Sequence, residues 1–403
     1  MAATMATLQD ILKNFYIGPI RKNLNDSTVL LAQLKKSSTE IVGEQVILPL
    51  HIGRNWGVGA RGTTGTRTLP VARNQKYDKA YFSTKDVYGR IEISGKTIRA
   101  TKTDRGAFLR AVTSETEGMT NDLGSDVNRE LYGDATGDLA VCGTGDIDAT
   151  TVVVDSTQYL EEGMFLDFYD AGGTITANTG KEILSIDSDT TFTLTGAITW
   201  TTADTIKLYG VTATDELNGL DLIVNNTGIL HNIDPVGGVA PVSIWKANVV
   251  GSDAAPLVIS EDEMQQVQDK AEKKGGKIDM IITSYEGRRK YIALLASQKR
   301  YTTPQVGKLK GGYEYIDFNT IPMVVDRHCQ ANSTATRMYF LTLKTLGIYR
   351  MADFDWMKED GNILARSVGA SATESYEATL VCDMEAGCTA RRHNSVYKGI
   401  SVA

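Results

Sequence analysis

Apolar residues at Phe108, Val112, Met119, Leu123, Val127 and Leu131 fall four or seven positions apart, so a 3.6-residue helix would align them in one stripe. The pattern predicts a long amphipathic helix over Asp104–Asp134. Asp104 stands where a carboxylate accepts from free first-turn N–H groups, and Gly133 and Gly137 suit a stop. Upstream, Leu8, Ile11, Leu12 and Phe15 have helical spacing that Gly18-Pro19 cuts short, and Leu24–Leu34 allows a second short helix. Ile41–Leu50 and Ala80–Ile98 read as strands, the second with Val87, Ile91 and Ile93 on one face.

Downstream the period changes to that of short strands. Thr151–Val154, Met164–Tyr169, Glu182–Ile186, Thr190–Leu194 and Thr205–Leu208 are separated by Gly, Asp and Asn turns, the pattern of a small β-barrel or sandwich inserted at Cys142–Thr214. After Gly- and Asn-rich connections with a core candidate at Trp245 and a turn residue at His231, Ser260-Glu261-Asp262-Glu263 reads as a capping box. Its helix ends at Gly275-Gly276. Ile278–Ile282 follows as a buried strand, and Thr283-x-x-Glu286 as the cap of a helix carrying Tyr291, Leu294 and Leu295. This order predicts helices packed on a central sheet. Further strands are expected at Ile316–Asp326, Met338–Leu343, Leu346–Tyr349 and Ser375–Asp383, with a polar turn at Lys358–Gly361.

Between the strands at Ile41–Leu50 and Ala80–Ile98, Gly53, Gly57, Gly59, Gly62 and Gly65 are interspersed with Arg54, Arg61, Arg67 and Arg73. No Gly-Lys-Ser/Thr follows these glycines, so the stretch is not a phosphate-binding P-loop. It reads as the tip of a long basic hairpin with no apolar face of its own, which therefore requires a partner to lie upon. We take Arg54, Arg61, Arg67, Arg73, Lys76 and Lys79 as candidate subunit contacts.

Charge sharpens this picture. The chain has a net charge of −7, yet residues 1–110 hold 18 Lys and Arg against 8 Asp and Glu, and the remainder 24 against 41. One part of the molecule is therefore poised to attract the other part of a second copy. The basic region has no helix-turn-helix, zinc-finger or RNA-binding signature. The insertion is strongly acidic, but Glu161, Glu162, Asp167 and Asp170 lack EF-hand order and read as solvated turns. Four cysteines form no C-x-x-C pair, so reduced thiols are expected; Cys382, Cys388 and His393 match no standard zinc spacing. With four histidines and no nucleophile, metal or cofactor constellation, no catalytic, metal or cofactor site is expected. Terminal Arg391 and Arg392 read as solvated surface or a subunit contact. No stretch approaches a membrane span and Met1–Leu12 lacks signal-peptide features, so a protein soluble when made is expected.

The order of parts resembles the major capsid proteins of tailed bacteriophages, which share the Hong Kong 97-type fold. The basic hairpin at Val46–Ile98 is similar to that family's extended loop, Asp104–Asp134 to its spine helix, and Ile259–Tyr301 to the helical part of its axial domain. Thr320-Ile321-Pro322-Met323-Val324-Val325-Asp326 is similar to a peripheral-domain strand often written G-x-P-V-V, with Thr320 where glycine is common. The resemblance implies an α+β fold with axial and peripheral domains, a long spine helix, an extended loop and a small all-β insertion domain. Its divisions are residues 1–44 as N-terminal arm, 45–103 as extended hairpin loop, 104–140 as spine helix and start of the peripheral domain, 141–215 as inserted β domain, and 216–403 as axial domain and remaining peripheral strands.

By that resemblance the chain is a structural shell protein, not an enzyme, with no cofactor. It would form hexamers and pentamers of an icosahedral capsid enclosing double-stranded DNA, with a portal and either a separate scaffolding protein or none. It would be assembled in the host cytoplasm and located in the virion, away from membranes. Lys76, Lys79 and Lys85 lie where some relatives crosslink, but no motif nominates one. An encapsulin-like compartment shell, a glycan-binding virion decoration protein and a carbohydrate-active enzyme are the alternatives.

Overall fold

The computed structural model describes residues 29–37, 41–43, 45–55, 57–60, 70–96, 105–212, 215–237, 242–298, 306–308, 314–351, 355–357, 365–366 and 374–402. The Leu8–Phe15 helix, the Asp104 cap, the side chains of Phe108 and Val112, and the Lys358–Gly361 turn lie outside them.

Helix α1 (Val29–Gln33) buries Val29 and Leu30. Strands β1 (Gln45–Gly53) and β2 (Lys76–Ser83) pair antiparallel from Gln45↔Ser83 to Gly53↔Lys76, and Ile41–Val42 completes a three-stranded sheet. The returning strand is not continuous. It breaks at Thr84, and β3 (Lys85–Ser94) leaves the hairpin to pair along its whole length with the late strand Ser375–Cys388. Alternation decides the packing: Val46, Leu48, Leu50, Ala80 and Phe82 face inward and join the main core of this same chain. The expectation of a hairpin without an apolar face is thus corrected, because a period-2 strand pair places every second residue on one side.

Helix α2 (Arg105–Glu130) is the long element. Val127 and Leu131 are buried, whereas Met119 and Leu123 are only half-covered. The helix ends at Glu130, four residues before Asp134, where Tyr132 and Gly133 donate to the carbonyls of Arg129 and Glu130 in a tightened last turn. Gly219 packs on this end so closely that a Cβ there would meet the Gly133 carbonyl at 2.3 Å.

Next come β4 (Asp146–Val153), β5 (Phe165–Tyr169), β6 (Lys181–Ser188), β7 (Thr191–Trp200) and β8 (Thr205–Leu208). With Ala140–Val141 they form one antiparallel sheet in the order Ala140–Val141, β8, β5, β6, β7, β4. Phe168, Phe192, Trp200, Leu166 and Ile206 give it a core of its own.

After α3 (Leu220–Ile223) the chain builds α4 (Glu261–Glu272), β9 (Met280–Thr283), α5 (Tyr285–Gln298), β10 (Glu314–Phe318), β11 (Ile321–Val325), β12 (Ala335–Leu341), β13 (Leu346–Arg350), β14 (Ser375–Cys388) and β15 (Ser395–Ser401). A seven-stranded mixed sheet runs Asn248–Gly251, β15, β12, β9, β11, β10, Val306–Lys308. Every residue of β9 is buried, as its unbroken apolar run requires. Met264, Val267 and Ala271 of α4 and Tyr291 of α5 close a second core with Phe318 and Phe340. The remaining sheet places β14 between β3 on one side and β13, Asp355–Trp356 and Ala365–Arg366 on the other; Lys35–Ser37 adds to β13 in parallel.

Two caps differ from expectation. Ser260 has the extended N-cap backbone but makes no side-chain capping bond, and Glu263 instead accepts from the Tyr397 hydroxyl. At α5 the cap is Ser284, whose Oγ accepts from Gly287 N at 3.2 Å, while the Thr283 hydroxyl donates to the Arg337 carbonyl at 3.1 Å. Gly275, at φ +90°, ends α4 with Gly276 N donating to Ala271 O at 3.0 Å. Between β10 and β11, Asn319 (φ 49°) and Thr320 (φ 65°) are both left-handed, as a two-residue hairpin turn demands.

Candidate subunit-contact surfaces

The hairpin's outer face carries Ile47, Pro49, His51, Tyr77, Lys79 and Tyr81, all exposed. His51 and Tyr77 face each other across the strands with ring centroids 5.4 Å apart, and Lys79 Nζ lies 5.8 Å from the Tyr81 centroid. Of the predicted contact residues, Arg54, Arg73, Lys76 and Lys79 are exposed and none pairs with a carboxylate among the described residues. Arg61 and Arg67 lie outside the described residues.

The hairpin is latched to its own body at one turn. Tyr81 N donates to the His231 carbonyl at 3.3 Å, and Asn232 Nδ2 to the Tyr81 carbonyl at 3.1 Å. His231 is a turn residue as expected, but a buried one: its ring stacks on Phe82 at 4.0 Å and its Nε2 accepts from Cys388 N at 3.1 Å. Burial, helped by the Arg391 charge, pushes its pKa down to about 3 and keeps the imidazole neutral.

Where β2 gives way to β3, a buried charged joint fastens four segments. Lys85 Nζ lies 3.6 Å from Glu385 Oε2 and donates to the Glu216 carbonyl. Arg129 grips Glu216 with two bonds at 2.6 and 3.2 Å. The strap Glu216–Leu220, which leaves the insertion, has its N–H groups satisfied in turn: Leu217 by Glu130 at 3.1 Å, Asn218 by Glu385 at 2.8 Å and Leu220 by the Leu131 carbonyl at 2.7 Å. Burial raises Glu385 to about 7 despite Lys85, and raises Glu130 to about 8 with Asp126 adding to it. At Arg129 burial works against the charge, but Asp126 and Glu216 outweigh it and raise the pKa.

A second buried network centres on Asp326 at the end of β11. Its carboxylate accepts from Tyr132 Oη at 2.9 Å, His328 N at 2.9 Å, Asn128 Nδ2 at 3.1 Å and Leu30 N at 3.4 Å. Burial opposes this charge, yet the bonds from His328 and Asn128 hold the pKa below the usual carboxylate value. Asp326 thereby ties α1 and α2 to the central sheet. Sequence offered only its place at the end of Pro322-Met323-Val324-Val325.

Arg391 corrects a prediction. It is fully buried, not on the surface. Its Nε donates to Ile223 O at 3.0 Å, Nη1 to Gly228 O at 3.1 Å, and Nη2 to Leu222 O at 2.7 Å and Thr227 O at 3.0 Å. The guanidinium therefore caps the C-terminal carbonyls of α3. Burial without a facing carboxylate pulls its pKa down to about 10.

The acidic residues of the insertion act locally, and Asp167 is a buried residue of β5 instead of a solvated turn. Asp167 accepts from Gly180 N and Gly210 N at 2.8 and 2.9 Å, and Asp170 from Gly172 N and Thr174 N at 2.9 and 2.8 Å. Glu161 pairs with Arg327 at 2.9 Å, beside bonds from Gln158 to the carbonyls of Arg327 and Cys329. These contacts seat the inserted sheet on the loop after β11. All four cysteines are buried and outside any disulfide, and no group of three or more His, Cys, Asp or Glu able to hold a metal occurs among the described residues. No helix among them is long and apolar enough to cross a membrane.

Between α2, β3 and the inserted sheet lies an open cleft of about 650 Å³. Its lining includes Ile91, Met119 and Leu123, the carboxylates of Glu92 and Glu115, and the guanidinium groups of Arg90, Arg129 and Arg327.

A long helix, a hairpin arm, a mixed sheet with two helices and a sheet built on β14 together make the Hong Kong 97-type capsid fold of tailed-phage major capsid proteins. Over nearly its whole length the chain is similar to the capsid subunit of cyanophage A-1(L), with a TM-score of 0.60, 14% identity, and 98% of this chain and 99% of that one covered. It is also similar to the SrpI encapsulin of Synechococcus elongatus PCC 7942, with a TM-score of 0.52, 8% identity, and coverage of 99% and 96%. No family model and no curated protein sequence matches it.

Proposed function

We propose that the chain is the major structural subunit of an icosahedral shell that encloses double-stranded DNA, and that it works by packing and electrostatics, without turnover. The carrying observation is the full-length capsid fold shared with the cyanophage subunit. Residues 45–103 act as the extended loop, with Arg54, Arg61, Arg67, Arg73, Lys76 and Lys79 reaching a neighbouring copy. Residues 1–44 act as the arm, and residues 141–215 as an outward acidic domain. Copies gather in hexamers and pentamers in the host cytoplasm, with a portal and either a separate scaffolding protein or none. Interfaces of this kind make each subunit's stability depend on its neighbours.

The likeness to an encapsulin favours one second reading, a compartment that encloses protein. Electron microscopy of the purified protein, followed by nuclease and protein analysis of the contents, separates the two. Closed particles hundreds of ångströms across with nuclease-protected double-stranded DNA are expected for particles from a productive infection. A persistent monomer or small oligomer, even with scaffold supplied, refutes both readings, and protein contents alone favour the compartment.

A further inference from the structure

We propose that one end of the seven-stranded sheet, where Lys246, Lys270, Lys274 and Arg392 converge, binds the phosphates of the double-stranded DNA inside the shell. The proposal rests on the shell reading above and assigns the enclosed polyanion a contact surface.

Three separate segments build this surface. Helix α4 and the residue after its end bring Lys270 and Lys274, the short turn Arg391–His393 brings Arg392, and Lys246 stands between the buried Trp245 and the edge strand Asn248–Gly251. The helix end is clamped to the turn: Gly276 packs so closely that a Cβ there would meet His393 O at 2.7 Å. Asn248 Nδ2 donates to Arg392 O at 2.9 Å and Thr342 Oγ1 to His393 O at 2.9 Å, which fixes the turn against the edge strand and the end of β12. Exposed Lys277 precedes β9 and exposed Lys344 follows β12 at this same end, since the two strands pair at Met280↔Leu341.

Charge is unbalanced there. Among the described residues, none of the four converging cations pairs with a carboxylate. The nearby acids are engaged elsewhere: Asp269 by Lys273 at 3.9 Å and Gln265 Nε2 at 2.8 Å, Glu272 by Gln268 Nε2 at 2.8 Å, and Asp279 by Leu343 N at 3.0 Å. Partial desolvation, and then the charges of Lys270, Arg392 and Lys246, lower the Lys274 pKa. Lysines near a helix C-terminus complement its dipole, but that does not account for Lys246 and Arg392, which come from other segments. Like charges gathered without counter-ions oppose folding, and a bound polyanion relieves them.

The make-up of the surface selects DNA over an acidic protein. None of the exposed large apolar side chains among the described residues belongs to these segments. A protein interface needs apolar or aromatic anchors at its centre, whereas a DNA interface is polar and strongly cationic. Lysine ammonium groups suit contact with phosphates of any sequence. Position agrees. Strands β9 and β11 run parallel, with Lys277 before the first and Arg327–Cys329, the seat of the inserted sheet, after the second. The cations therefore lie at the opposite end of these strands from the acidic domain, whose field repels DNA.

The test is fluorescence anisotropy of a labelled duplex of about 20 bp with full-length, unassembled subunits, titrated between about 50 and 200 mM salt. Four phosphate contacts contribute about −3.6 to the slope of log K against log salt. Combining Lys246→Gln, Lys270→Gln, Lys274→Gln and Arg392→Gln is expected to remove that share of the slope and to weaken binding at least about a hundredfold near 0.1 M salt. Lys274→Gln alone, at an exposed position, should weaken it about eightfold and keeps the test valid if the combined variant fails to fold. Duplex affinity unchanged in a folded variant overturns the site, and does so without touching the shell reading when that variant still assembles into particles. Polyglutamate that displaces the duplex at equal concentration shows a site for acidic protein and overturns the DNA assignment. Wild-type chain that forms no particles removes the shell reading, and the enclosed DNA as occupant with it.

Discussion

Replacing Arg391 with Met asks whether a lone buried guanidinium holds the end of α3. The side chain makes four charge-assisted bonds to the carbonyls of Leu222, Ile223, Thr227 and Gly228, each contributing roughly 1.5–3 kcal/mol. Against them stands the cost of burying the charge. The pKa falls from 12.5 to about 10, which at about 1.4 kcal/mol per unit is about 3.5 kcal/mol. The bonds win, and methionine would leave four carbonyls without donors, so a loss of about 4 kcal/mol or more is expected. Arg391→Lys keeps the charge but cannot span four acceptors from one nitrogen, and should lose stability as well. The assay is urea unfolding of unassembled subunits, followed by Trp245, whose Nε1 donates to Leu230 O at 3.3 Å, together with amide exchange across residues 220–230. A methionine variant with the wild-type midpoint and wild-type protection at Ile223 and Val224 would refute the assignment of Arg391 as a structural cap.

Four further outcomes are expected. Thr320→Gly should stabilise the subunit by about 0.5–1 kcal/mol in thermal unfolding, because Thr320 sits at φ 65° in a turn that favours glycine; a loss of stability would show the turn is not strained. Glu385 and Glu130 are raised from 4.5 to about 7 and about 8, so the folded chain holds protons that the unfolded chain releases. Their contribution is full below pH about 4.5 and is lost as pH rises to about 8, on the order of 3 kcal/mol for Glu385 alone; Glu385→Gln should flatten the decline, and an unchanged slope in unfolding free energy between pH 5 and 8 would contradict it. Asp326 runs the other way, since its lowered pKa adds stability that disappears as pH falls below its ordinary 3.8. Finally, Arg61→Glu with Arg67→Glu should weaken subunit association more at low than at high salt by light scattering, and salt-independent assembly would remove the hairpin's electrostatic role.

Much of the architecture is local and was legible in the chain. The strands expected at Met164–Tyr169 and Thr205–Leu208 fall at Phe165–Tyr169 and Thr205–Leu208, because turn residues and alternation act over a few neighbours. The Gly275-Gly276 stop succeeds for the same reason, and of the α2 stripe Val127 and Leu131 are buried. Caps were legible to within a position, but which side chain satisfies an N–H depends on competitors: Glu263 is taken by Tyr397, more than a hundred residues away. The contact residues were chosen by charge alone, and the structure adds that the hairpin beneath them packs on its own subunit.

By itself, then, the sequence determined the order and type of the elements, the opposition of a basic arm to an acidic remainder, and the resemblance to a capsid. Tertiary structure alone decided that β3 abandons its hairpin for a strand nearly three hundred positions later, and that Arg391 turns inward while Arg54 and Arg73 face water. It also left Met119 and Leu123 half-covered on the cleft. The physical reason is range: periodicity and turn chemistry are set by adjacent residues, whereas burial, shifted carboxyl pKa values and uncovered apolar surface depend on what distant segments bring alongside.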